Sequence, residues 1–182
     1  STFSARGDEL GGALDHMSAI GVSLSSTCYD PIIRFGRQAL SEVERHEADP
    51  AMEMCARSVI LSAGLVSLMA DDNYNCALAH AVCYGLQHFE HVEREYLHGD
   101  LVAYGALVQL AVDGQLDKAR ELRAFLVSLG TPVTLAQMHV PLEKAALGDA
   151  LIEATTGPDM AHIPYPVTQD MVFDAMRRVE TL

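Results

Sequence analysis

The chain has 182 residues, of which 49 % are hydrophobic and only 20 % charged. That balance is globular and excludes a disordered chain. Twenty-five acidic residues against 12 basic ones leave a net charge of −13, a surface that repels phosphate backbones and anionic lipid, so no nucleic-acid partner and no membrane partner is expected.

The predicted elements are helical throughout. Leu10, Leu14 and Met17 share one helical face, and Gly11 and Gly12 let another backbone come close. Pro31 suits a first helical turn and is expected to open a helix over 31–48 that Pro50 stops. Ile32, Phe35 and Leu40 would form its apolar side, and Glu42, Glu44, Arg45 and Glu47 its wet side. Residues 52–70 are apolar almost all round, the pattern of a central buried helix with Met52, Met54 and Met69 as core filler. The apolar run 59–70 is broken by Ser62, Gly64 and Ser67 and is too short to span a bilayer. The sequence DDNYN at 71–75 makes a polar turn. Helices are then predicted over 76–89, 99–112 and 116–129, the last ending at Gly130, a good left-handed cap position. Residues 133–141 read as a turn and a stub, and 141–155 as a helix. Three prolines in 157–168 forbid regular helix, and Thr168 starts the last helix. The expectation is an all-α bundle of about eight helices forming one domain over 1–182, without period-2 strands.

Cysteines stand at 28, 55, 76 and 83 with no CxxC pair, which fits reduced thiols and a cytoplasmic location. No signal peptide is read at the start, which is Ser1 and not Met, so a trimmed start or a piece of a longer protein is expected. No G-x-G-x-x-G and no P-loop occur, so no nucleotide-binding half is expected within the chain.

Eight histidines are present, three of them in HFEHVEREYLHGD at 88–100. His88 and His91 stand among carboxylates and read as a solvated turn or helix end. His80 differs: it lies in the apolar stretch CALAHAVCYGL, where a buried imidazole needs partners. His98 precedes Gly99 at a helix start. Cys83 and Tyr84 follow His80 by three and four residues and could line the same pocket, with packed thiol and packed phenol as their expected roles. Gly85 and Gly105 read as close-packing positions, and His16 and His162 carry no chemistry.

Four blocks in order carry a resemblance: AHAVCYGL (79–86), HGDLVAYGALVQL (98–110), GTPVTLAQ (130–137) and IPYPVTQDMVFDAM (163–176). Together they resemble the C-terminal helical domain of the iron/zinc-containing alcohol dehydrogenases, in the glycerol dehydrogenase branch. The resemblance implies one divalent ion held by His80 and His98 and by an aspartate of a Gly-Asp pair, matched here by Gly7-Asp8. A helix N-cap is the alternative role for Asp8. Where the iron-using branch adds a histidine four residues after that aspartate, this chain has Gly12, which favours zinc, although the same donors accept iron or manganese. Two neutral imidazoles and one carboxylate suit a catalytic zinc with an open position, which polarises an alcohol or carbonyl oxygen. The family also implies NAD, bound by a Rossmann-like domain or subunit outside this chain, and a small alcohol, polyol or carbonyl substrate. The chain alone is then expected to be a poor catalyst, and the surface left without that domain is expected to be apolar and to drive homo-oligomerisation. Two other readings are a stand-alone, non-catalytic helical subunit and a phosphate-eliminating enzyme like dehydroquinate synthase. Against the latter, neither Lys118 nor Lys144 lies near an expected ligand in sequence.

Overall fold

The computed structural model describes residues 15–70, 76–161, 163 and 165–182. Among the described residues the regular structure is helical, with no strand, as expected. The chain forms two compact units, residues 2–75 and 76–182.

In the first unit, helix α1 spans His16–Leu24, and the Asp15 carboxylate caps it by accepting from the Met17 and Ser18 backbone amides at 3.0 and 3.1 Å. Helix α2 spans Ser26–Glu44 and carries Pro31 inside it, not at its first turn. A proline has no N–H for the carbonyl four residues back, here Thr27. The buried Ser58 hydroxyl fills that gap, lying 2.9 Å from both the Thr27 and Cys28 carbonyl oxygens. The helix also ends earlier than Pro50 demands. His46 adopts a left-handed φ of 58°, and the His46 and Glu47 amides donate to the Val43 and Glu42 carbonyls. That is a Schellman termination with histidine in glycine's usual place. Glu42 is fully buried, contrary to its expected place on the wet face. Its carboxylate accepts from Gln38 Nε2 at 2.7 Å and from the Met52 amide at 2.9 Å, so it satisfies an orphan amide at the next helix start.

That next helix is a rod over Pro50–Met69, made of α3 (Pro50–Arg57), a π-helical turn (Ser58–Ser62) and α4 (Ala63–Met69). It was expected to be buried and is not: Leu68 is 82 % exposed, Ile60 71 % and Val59 63 %, and Met54 is exposed too. Only the side carrying Ala51, Ser58, Val66 and Ala70 is buried. By length and composition alone, its 20 residues with mean hydropathy 1.4 are long and apolar enough to cross a membrane. The apolar run 59–70 alone falls short of that length; the helix reaches it by continuing through 50–57, where Glu53 and Arg57 pair with each other one turn apart.

In the second unit, α5 (Leu78–Leu86) is the central element. It packs against α7 (His98–Val112) and α9 (Gly148–Thr156). The short α6 (Glu90–Glu95) links α5 to α7, so the helix predicted over 76–89 stops at Leu86. Helix α8 (Leu116–Leu129) ends at Gly130, whose φ of 77° meets the sequence expectation. The stretch 133–141 is a folded loop in which Val133, Leu135, Met138 and Val140 are buried. Glu180 Oε1 accepts from the Leu135 amide at 2.7 Å and holds that loop. Helix α9 begins at Gly148, later than 141, because residues 144–147 form turns. Thr168 caps the last helix, α10 (Gln169–Val179), by accepting from the Met171 amide.

Two glycines set the spacing around α5. A Cβ on Gly105 would lie 2.2 Å from the Ala79 carbonyl oxygen, and one on Gly85 2.5 Å from that of Ala150. Helices α7 and α9 therefore approach α5 at backbone contact, as the sequence expectation for these glycines held.

Candidate metal centre

The contact between α5 and α7 places His80 beside His98. Gly105 lets the α7 backbone reach Ala79, the residue before His80. One turn further along α7, the buried Gln109 side chain accepts from the Ala79 amide at 3.1 Å. That amide is one of the orphan donors at the α5 N-terminus. Both helices are thus locked at the level of His80, while α7 begins at His98.

The two imidazole centroids are 5.8 Å apart, with the rings inclined at 43°. Two histidines sharing one zinc at about 2.0–2.1 Å per bond place their ring centres about 5–6 Å apart, so this pair fits one ion. Burial holds the His80 imidazole below its ordinary pKa; the Asp159 charge opposes this, and the neighbouring His98 reinforces it. A neutral imidazole is the form that ligates a metal.

Two side chains next to His80 on α5 complete the surroundings. Cys83 is fully buried, and burial raises its thiol pKa to about 11. Its sulfur is 3.4 Å from His98 Nδ1. Tyr84 is 40 % exposed, not a packed phenol, and its ring lies 6.5 Å from His80 and 6.0 Å from His98. Sequence spacing alone placed both residues on the His80 face.

Asp159 was not anticipated. It stands in a 3₁₀ turn, Pro158–Met160, that packs on α5. Its Oδ2 is buried without a hydrogen-bond partner; its charge adds to burial in raising the pKa of Tyr84 and opposes the downward shift at His80. Nothing in the sequence marks it, because the turn comes against α5 only through the packing of α9.

Three other described histidines sort as follows. His91 Nε2 bonds the Met138 carbonyl at 3.1 Å and so tethers the 133–141 loop. His88 is exposed in the turn after α5. His16 is the first residue of α1. Asp8 and His162 lie outside the described residues. Among the described residues no three His, Cys, Asp or Glu side chains come close enough to hold an ion, so two imidazoles are the described part of the expected set.

No family model matches the chain. It is 30 % identical over 164 residues to hydroxycarboxylate dehydrogenase A of Escherichia coli (strain K12), covering 89 % of this chain and 45 % of that protein. It is 30 % identical over 174 residues to a glycerol dehydrogenase of Thermotoga maritima, covering 93 % and 45 %. A probable glycerol dehydrogenase from Sinorhizobium meliloti 1021 superposes with a TM-score of 0.81 at 26 % identity, over 99 % of this chain and 50 % of that one. The chain spans less than half the length of these curated relatives. It is homologous to the glycerol and hydroxycarboxylate dehydrogenases and corresponds to the C-terminal helical domain of that alcohol dehydrogenase family.

Proposed function

We propose that this chain supplies the metal-holding half of an NAD-linked polyol or alcohol dehydrogenase of the glycerol type. The observation that carries this is the convergence of His80 and His98 on two helices fixed at Gly105 and Gln109. Asp8 is the third ligand, and zinc is the ion that suits two imidazoles and a carboxylate, with iron or manganese as substitutes. When bound, such an ion supplies Lewis-acid polarisation of an alcohol or carbonyl oxygen.

The chain's own residues prepare that chemistry. Burial disfavours protonation of His80 and so favours its neutral, ligating form. Tyr84, exposed beside both rings, stands where a small polyol or carbonyl compound would approach. NAD is held by a Rossmann-like domain or subunit, and 1–182 acts as a single metal-binding module beside it. Half the length of the relatives is the share left for that part.

A specific observation favours association as well. Val59, Ile60, Leu61 and Leu68 leave one face of the Pro50–Met69 rod apolar and exposed, and such faces mark contacts with another protein surface.

Elemental analysis tests the proposal. About one zinc per chain is expected in the wild type, and loss of most of it in the double variant His80→Ala, His98→Ala. Equal zinc in both proteins refutes it.

A further inference from the structure

The contact between Cys83 and His98 involves two different atoms of the histidine. The buried sulfur lies 3.4 Å from the ring nitrogen Nδ1 and 3.9 Å from the His98 carbonyl oxygen. A thiol carries one hydrogen and has lone pairs on sulfur; a carbonyl oxygen can only accept. Both contacts are hydrogen bonds only when the thiol hydrogen goes to the carbonyl and the sulfur accepts from an Nδ1–H. Nδ1 then carries the ring proton, and a neutral imidazole protonated at Nδ1 has its free lone pair on Nε2.

We propose that Cys83 is a positioning residue of the metal centre: its sulfur keeps the His98 proton on Nδ1 and leaves Nε2 as the donor atom for the ion shared with His80. This inference rests on the metal-centre reading above. Outer partners of this kind fix both the tautomer and the ring angle of a ligating histidine. Cys83 is suited to the task by its place: it is three residues after His80 on α5, so one helix presents both a ligand and the group that orients the other. The reverse arrangement, with the thiol hydrogen on Nδ1, would place the imidazole proton on Nε2 and close that nitrogen to the ion.

The test is a Co²⁺ titration of the full chain, followed by its visible absorption, in five proteins: wild type, Cys83→Ala, Cys83→Val, Cys83→Ser and His98→Ala. Valine refills the space without an acceptor; serine restores one donor and acceptor lone pairs. The alanine and valine variants are expected to bind about 10- to 100-fold more weakly. Serine should recover most of that loss. Equal affinity in the valine and serine variants overturns the proposal, because packing alone then explains the thiol. Loss of binding in His98→Ala alongside wild-type affinity in Cys83→Val overturns it while leaving the metal centre standing. Wild-type affinity in His98→Ala removes the metal centre itself.

Discussion

At the scale of single residues, several side chains do work usually assigned to the backbone. Ser58 stands in for the N–H that Pro31 lacks. Ser58→Ala should cost about 1–3 kcal/mol, the usual penalty for leaving a buried acceptor unpaired, read from urea unfolding; an unchanged midpoint would contradict it. His46 holds a left-handed turn at an exposed helix end. His46→Gly should stabilise the chain by about 1 kcal/mol, because a non-glycine residue is disfavoured there; a lower melting temperature would contradict that. His80 adds a pH dependence. Its folded pKa lies below the unfolded value of about 6.5, so the unfolded chain takes up the proton first. Its effect on stability is then absent well above pH 6.5, and stability falls as the pH drops through that value. A His80→Gln variant should show a flatter acid limb, and an identical limb would show that another group governs it. Gly130 could be read from sequence because glycine advertises a positive φ; His46 could not, because histidine carries no such signal. Asp159 was equally silent.

At the scale of elements, the backbone contacts of α5 with α7 and α9 decide the site. Gly105→Ala would force its Cβ into the Ala79 carbonyl, so the helices must part. Overpacking of this kind costs about 1–3 kcal/mol or more, and ion affinity should fall with it because His80 follows Ala79. Wild-type stability and affinity together would show the contact to be slack. These two glycines were legible as close-packing positions, and so were the cap at Thr168 and the end of α8. The Pro50–Met69 rod was not. A helix apolar all round reads as buried, yet only one side of it is covered; the pattern reports what a helix could bury, not what stands beside it. Glu42 shows the converse: a carboxylate that reads as wet is buried because the neighbouring helix start needs an acceptor.

At the scale of the molecule, the chain matches less than half the length of its relatives and keeps an exposed apolar face. The purified chain should self-associate through that face, and Ile60→Asp with Leu68→Asp should return it to a monomer. Light scattering checks both; a monomeric wild type at high concentration would contradict the account. The four sequence blocks were enough to predict the helical class and to single out His80 and His98, whose ring centroids lie 5.8 Å apart. What they could not supply was Asp159, which only tertiary packing brings up to His80, and the contact of Cys83 with His98 on the neighbouring helix. The central claim is that one ion is held by imidazoles from α5 and α7. X-ray absorption of the zinc-loaded chain tests it most directly. The account predicts nitrogen and oxygen scatterers at about 2.0–2.2 Å, with the multiple-scattering signature of two imidazoles and no sulfur. A sulfur shell at about 2.3 Å, or no imidazole signature, would contradict it.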